Sequence, residues 1–158
     1  MQTPGQRPLP PRRARKARPL SLHVDELWAL TGQIAALSGL VLVLSTFMDW
    51  YAGDGGSGLV LSVTGWHSGA LGKLTFLVGL AVLVLLGLRR FGIVLPASLP
   101  ESLVLIGLGV LGVVFVLYRI IWVPLAIVPS GRGIGLWIAL LAALGVIVAG
   151  VLETADEL

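Results

Sequence analysis

Four long apolar stretches separated by short polar segments dominate the chain. They lie at about 27–48, 70–88, 99–123 and 133–152. A helix rises 1.5 Å per residue, so about 20 residues cross the roughly 30 Å hydrocarbon core of a bilayer. In hydrocarbon every backbone polar group must be bonded internally, which selects helices over open strands. The pattern therefore predicts four transmembrane helices.

The connections between these stretches are short, which favours an antiparallel, sequential arrangement of the helices. In the longest connection, 49–70, the residues AGDGGSG at 52–58 are typical of a flexible turn. The following LVLSVT at 59–64 alternates weakly, as a short strand does, which predicts a small hairpin on the outer face of the bundle. We therefore predict an all-α membrane protein, an antiparallel four-transmembrane-helix bundle with a short β-prone external loop.

Aromatic residues flank the first stretch, as in the belts found at membrane–water interfaces. Trp28 marks the predicted inner interface, and Phe47, Trp50 and Tyr51 mark the outer one. Trp66 is interpreted either as another belt residue or as an anchor that holds the external loop in a groove or against a partner.

The polar ends of the stretches give further boundaries. Ser98 is a suitable N-cap for the third helix, with Glu101 in its first turn. Glu153 and the segment 154–158 form an acidic end that we expect to be exposed to water. The predicted domain of four helices is thus 21–153.

Composition agrees with a membrane protein, because 56% of the 158 residues are hydrophobic and only 12% are charged. Soluble domains carry about 25% charged residues. Six of the 11 Lys and Arg residues lie in a proline-rich segment, 1–20, which predicts a disordered tail. The net charge of +3 belongs to this tail. It gives no reason to expect nucleic-acid binding by the helices.

The distribution of Lys and Arg predicts the orientation. Eight of these residues lie in the tail or between the second and third stretches, and three lie on the opposite side. The positive-inside rule then places both termini in the cytoplasm. Abundant Leu, Val, Ala, Gly and Arg with few Lys are typical of a GC-rich bacterial genome, so we expect a bacterial cytoplasmic membrane. Residues expected to contact anionic lipid headgroups are Arg12, Arg13, Arg15, Lys16, Arg18, Arg89 and Arg90.

Candidate chemistry is sparse. The chain has no cysteine, which excludes disulfides and thiolate metal sites. Gly107, Gly109 and Gly112 match the dinucleotide fingerprint, but that motif needs a strand, a turn and a helix start rather than a position within an apolar helix. His67, Asp49 and Asp54 lack the spacing of a metal or catalytic site. We expect no catalytic residue, no cofactor and no metal.

Small residues recur along the predicted helices, where they let backbones approach closely in lipid. Those predicted to form packing or oligomer interfaces are Gly107, Gly112, Gly135, Ala139, Ala142 and Gly150. The smooth face of the fourth helix packs either inside the bundle or against another subunit, and the sequence does not separate these two alternatives.

Arg119 lies roughly 27 Å along the third helix from Glu101, near the outer interface. One interpretation is that its side chain reaches lipid phosphates. The other is that it is buried and forms a structural ion pair with Asp49 or Asp54, because an unpaired charge within a membrane is costly.

Several features together resemble the small four-helix integral membrane proteins of actinobacteria. They are the basic tail, Asp49-Trp50, Gly65-Trp66, the late Arg119 and the glycine-rich segment 131–135. The layout is also loosely similar to claudin-type tetraspan proteins, although this chain lacks their paired loop cysteines. The resemblance implies the membrane fold and no particular activity.

From these observations we predict a non-enzymatic protein. The favoured function is a homo-oligomeric scaffold, or an accessory subunit of a membrane complex, that associates with itself or with another membrane protein. The alternative is an oligomeric channel or a lipid-binding or transport protein. The polar residues Ser38, Ser45 and Thr75 are isolated and form no continuous stripe, which makes the alternative weaker.

Overall fold

A computed structural model describes residues 21–54, 60–92, 100–123 and 131–157. In chain order the elements are α1 (Ser21–Ser45), β1 (Asp49–Asp54), β2 (Val60–Thr64), α2 (Ala70–Arg90), α3 (Glu101–Ile121), β3 (Gly131–Arg132) and α4 (Ile134–Glu157). The predicted tail 1–20, its basic residues and the predicted N-cap Ser98 lie outside the described residues, as does the side chain of Trp28.

Three helices, α2, α3 and α4, are long and apolar enough to cross a membrane. Helix α1 has 25 residues, of which Leu30–Ser45 form a shorter apolar stretch. Large apolar side chains such as Leu77, Val114 and Leu141 are more than half exposed on the outer faces of the helices. Apolar exposure along so many turns is typical of contact with lipid rather than with water. The chain thus has the character of a multi-pass membrane protein.

Successive helices run in opposite directions. Gly39 faces Val82 while Gly79 faces Val43, so α1 and α2 are antiparallel. Helices α3 and α4 are antiparallel in the same way, because Gly109 lies against Ile147 and Gly150 lies against Ile106. Helix α1 also packs on α4, and α2 packs on α3, so each helix has two neighbours. We call these four helices the helical body.

The core of the helical body consists of small and medium apolar side chains. One cluster lies towards the sheet and includes Leu42, Val116 and Ala143. A second cluster, formed by Val82, Leu85, Leu105 and Val146, lies towards the opposite end. In a membrane, where lipid tails are as apolar as these side chains, such an interior is stabilised by close van der Waals packing rather than by transfer from water.

A three-stranded antiparallel sheet in the order β2-β1-β3 lies at one end of the helical body. Strand β2 forms where the alternating segment predicted it. A small hairpin was predicted in this loop, but the bounds of its first strand, β1, and the presence of β3 were not. The sequence DWYAGD of β1 shows no clean alternation, and β3 has only two residues. Residues 131–132 join β1 through pairing of Tyr51 with Arg132.

Several helix ends differ from the prediction, and the largest difference is at the start of α1, which begins at Ser21 rather than at about 27. Helix α1 ends at Ser45, three residues before the predicted position 48. Helix α3 begins at Glu101 after Pro100, whose side chain makes no capping bond. Helix α4 continues to Glu157, past the predicted end at 152. The prediction of a water-exposed acidic end is wrong for Glu153, which is 2% exposed because an arginine covers it.

Candidate functional site

A β-bulge in β1 turns two consecutive aromatic side chains into the helical body. Asp49 pairs with Thr64 and Tyr51 pairs with Val63, so Trp50 is the extra residue of the bulge. Successive side chains of a regular strand point to opposite faces, but a bulge re-aims one of them. As a result Trp50 and Tyr51 are both fully buried. The prediction that they belong to an interfacial belt is wrong.

These two aromatic side chains cap two different helices. The indole Nε1–H of Trp50 donates to the carbonyl of Ser45, the last residue of α1, over 2.8 Å. The hydroxyl of Tyr51 donates to the carbonyl of Arg119, in the last turn of α3, over 3.0 Å. The last four carbonyls of a helix have no partner within it, and in an apolar region water cannot supply one. Strand β1 therefore supplies a side-chain donor to the end of each of the two helices.

Arg132 in β3 adds a third cap. Its Nε–H donates to the carbonyl of Ile120 over 2.8 Å, next to the carbonyl that Tyr51 binds. A positive side chain at a helix C-terminus also interacts favourably with the helix dipole. Because β3 pairs with β1, the two caps of α3 are fixed relative to each other.

Arg119 is buried, with 7% of its surface exposed, so its side chain does not extend to lipid phosphates. One of its terminal nitrogens donates to the carbonyl of Ser68, and the guanidinium covers Gly69, whose φ of 119° favours glycine. Asp49 is exposed, and among the described side chains no carboxylate lies within ion-pair distance of Arg119. The predicted pair with Asp49 is therefore not formed, because the bulge turns the neighbouring aromatics inward and leaves Asp49 outside. The side chain of Asp54 lies outside the described part of the chain.

The environment of Tyr51 changes its acidity. Burial raises the pKa of the Tyr51 phenol above its ordinary value of 10.0, and the positive charge of Arg119 acts in the opposite direction. The effect of desolvation on the pKa is larger than that of Arg119, because ionisation would leave a charged phenolate buried. The neutral phenol, by contrast, already donates the hydrogen bond to the Arg119 carbonyl. The neutral phenol is therefore the form that the fold requires.

Three aromatic rings, of which Phe47 is exposed and Trp66 and Phe76 are partly buried, form a cluster beside the sheet. Phe47 stacks on Trp66 with ring centroids 5.8 Å apart, and Phe76 meets the edge of both rings. The Lys73 ammonium lies 5.8 Å from the centroid of the Trp66 ring, within the range of a cation–π contact. Trp66 thus joins the end of α1 to the start of α2. Phe47 is exposed, as an interfacial aromatic should be.

The opposite end of the helical body is held by one arginine and two carboxylates. Arg89 in α2 hydrogen-bonds to Glu153 in α4, and its Nε lies 3.5 Å from the Glu101 carboxylate in α3. Arg89, one of the residues predicted to contact lipid headgroups, thus forms two ion pairs within the chain, and its side chain remains 37% exposed. Arg90, the next residue, is exposed. A sequence signal existed, because all three charges flank predicted helix ends, but the pairing depends on the positions of three helices.

A groove of about 550 Å³ opens beside this arginine, between α1 and α2. Its lining combines small residues, leucines and polar side chains: Gly32, Gln33, Ala36, Leu83, Leu86, Gly87, Arg89 and Arg90. The space exists because Gly32 and Gly87 have no neighbouring atom within 4 Å of where a Cβ would lie. This groove was not predicted from the sequence.

Five of the six small residues predicted at interfaces are used inside the chain. Gly112, Gly135, Ala139, Ala142 and Gly150 are buried, and α4 directs its smooth face into the helical body. A Cβ on Gly112 would lie 3.3 Å from the Cβ of Ala143, and one on Gly150 would lie 2.8 Å from Ile106. Gly107 differs, because it is exposed and has open space around it.

Within the described part of the chain, no three His, Asp or Glu side chains come together as a metal site would require. His67 is exposed, and its Nδ1 lies 2.9 Å from the Thr64 hydroxyl. The polar groups of the sheet end mainly bind backbone carbonyls, so this end caps and joins helices. No protein-family model, curated protein or solved structure matches the chain.

Proposed function

We propose that the protein is a four-pass protein of a bacterial cytoplasmic membrane, folded as an antiparallel four-helix bundle with both termini in the cytoplasm. Support comes from the three apolar helices, the length of α1 and the excess of Lys and Arg at the proposed inner side. In this orientation the sheet lies on the outer face, and the ion pairs of Arg89 lie on the inner face.

Single-cysteine labelling tests the orientation, because the chain has no cysteine of its own. His67→Cys places a thiol at an exposed position beside the sheet, and Ala155→Cys places one at an exposed position near the end of α4. In intact spheroplasts an impermeant maleimide should label position 67 and leave position 155 unlabelled until the membrane is opened. The reverse pattern would contradict the proposed topology.

Within that membrane we propose a non-enzymatic role, as a homo-oligomeric scaffold or an accessory subunit of a membrane complex. The observation that carries this proposal is the outer face of α3. Gly107 lies on this face and is the residue of the predicted interface set that has open space around it. The exposed apolar residues of the same face follow one another, with Gly107 among them, at alternating intervals of four and three positions: Leu103, Val110, Val114 and Leu117. That spacing suits a second helix, and a glycine lets the partner backbone approach closely.

Native mass spectrometry of protein released from nanodiscs tests the assembly. We expect a defined multiple of the 16.6 kDa chain or a complex with a second membrane protein. Gly107→Leu should convert this species into a lone chain, because the added side chain separates the helices. Val84→Phe also adds four carbon atoms, at an exposed position of α2, and should leave the number of chains in the assembly unchanged. A single 16.6 kDa chain for the unaltered protein, with no co-purifying protein, would overturn the proposal.

The alternative, a channel, receives less support from the packing of a single chain. Leu42, Val116 and Val146 are fully buried in the interior of the helical body, and glycines there approach neighbouring side chains closely. A pore would therefore have to lie between chains. Its lining would come from the outer faces of the helices, which carry mostly large apolar residues.

A further inference from the structure

The groove between α1 and α2 is a gap in otherwise close packing. Nearer the sheet the same two helices are in contact, since a Cβ on Gly39 would lie 2.9 Å from Val82 and one on Gly79 would lie 2.9 Å from Val43. Towards the other end Gly32 and Gly87 meet nothing within 4 Å. Side chains that line a gap lose dispersion contacts unless another molecule fills it. The groove is therefore suited to an apolar occupant that the described residues do not provide.

The volume of the groove is appropriate for a small molecule. Ligand pockets usually enclose about 300–1,000 Å³, and this groove encloses about 550 Å³. Leu83 and Leu86 form an apolar wall, while Gly32, Ala36 and Gly87 leave a floor without protruding side chains. An extended hydrocarbon chain matches that shape.

The polar end of the groove is positively charged. Arg89 and Arg90 both line it, but Arg89 is already engaged by Glu101 and Glu153. Arg90 is exposed, and no carboxylate of the described side chains lies within ion-pair distance of it. Gln33 adds an amide that can donate hydrogen bonds from the facing helix. A guanidinium binds phosphate with two parallel hydrogen bonds, so a phosphate group suits this end.

From these features we infer that the groove binds one anionic glycerophospholipid, with an acyl chain across Gly32 and Gly87 and the phosphate at Arg90. The proposed orientation places this end at the cytoplasmic leaflet, where anionic lipids are available. The basic tail 1–20 is a poorer occupant, because its six positive charges would be repelled by the arginines. The lipid site goes beyond the proposed assembly and does not depend on it, since Gly107 lies on a different helix.

The test uses the full chain in nanodiscs made from equal amounts of phosphatidylglycerol and phosphatidylcholine. The lipids retained after transfer to detergent are counted by native mass spectrometry. We expect one phosphatidylglycerol per chain, retained about tenfold over phosphatidylcholine, because both lipids carry a phosphate but the positive choline of phosphatidylcholine is repelled by the arginines. Arg90→Gln should remove this preference while lipid of either kind still occupies the groove.

Filling the groove tests the acyl-chain site separately. Gly87→Leu places a side chain in open space, so it should fold normally and lose retained lipid of both kinds. Val84→Phe, which adds the same number of carbon atoms to α2 outside the groove, should retain lipid as the unaltered protein does. Equal retention of the two lipids by the unaltered protein would overturn the assignment of an anionic lipid to the groove, because both lipids carry a phosphate and only phosphatidylglycerol has a net negative charge. Retention unchanged by Gly87→Leu would overturn the groove as the site, and would indicate that a protein segment covers it or that lipid binds elsewhere.

Discussion

The hydroxyl of Tyr51 donates a hydrogen bond to the backbone carbonyl of Arg119, 68 positions further along the chain. This bond joins β1 to the last turn of α3. The preceding residue, Trp50, makes the equivalent bond to the last residue of α1. Two consecutive side chains therefore fix the ends of two helices that are distant in sequence.

Tyr51→Phe should destabilise the protein by about 1–3 kcal/mol, the cost of leaving a buried carbonyl without a donor. Thermal unfolding in detergent, followed by circular dichroism, measures the effect. Tyr118→Phe is the matched control, because that residue is 52% exposed, and its effect should stay within about 0.5 kcal/mol. Equal effects of the two substitutions would argue against the capping role of Tyr51.

The same tyrosine predicts a pH dependence. Burial raises the pKa of Tyr51 above 10.0, so the folded state favours the neutral phenol. Its stabilising contribution is fully present below the pKa of the unfolded chain and is lost as pH rises through the higher pKa of the folded state. The stability difference between the unaltered protein and Tyr51→Phe should therefore narrow above pH 10. A difference that widens with pH would contradict the assignment.

Arg89→Gln should destabilise the packing of α2 against α3 and α4. The change leaves the Glu153 carboxylate buried without its partner. We expect a loss of about 2 kcal/mol, below the 3–5 kcal/mol of a fully buried pair, because the Arg89 side chain is 37% exposed. Chemical or thermal unfolding in detergent provides the measurement.

A rescue variant separates the charge effect from a loss of packing. Adding Glu153→Gln to Arg89→Gln removes the uncompensated carboxylate, and should restore part of the lost stability. If the double variant is less stable than Arg89→Gln alone, the ion pair is not the reason for the loss.

Gly72→Ala should be severely destabilising. The backbone carbonyl of Gly65 occupies the place that a Cβ on residue 72 would take, and Ser68 lies 3.1 Å from it. Overpacking of this kind costs about 1–3 kcal/mol or more when backbone has to move. Gly87→Ala, on the same helix but in open space, should instead stabilise by up to about 1 kcal/mol through helix propensity. Similar melting temperatures for the two variants would refute this prediction.

Much of the helical architecture could be predicted from hydropathy. The stretch at 70–88 corresponds closely to α2, and the third and fourth stretches overlap α3 and α4. The length of an apolar stretch depends only on residues adjacent in the chain, and the thickness of a bilayer sets how long a stretch must be to cross it. Small residues could be recognised as packing positions for the same reason. Whether each small residue faces the interior or the outside could not be predicted. Gly107 and Gly112 are the same residue type, and only the positions of the neighbouring helices distinguish them.

The amino-acid sequence by itself determined the apolar helices, the short connections and the strand at β2, because each depends on neighbouring residues. Only the tertiary structure decided that Trp50 and Tyr51 turn inward, since a bulge changes which face a side chain occupies. It likewise paired Arg89 with Glu153 and left Asp49 apart from Arg119. These contacts join residues far apart in the chain, so they follow from the relative positions of the helices and the sheet.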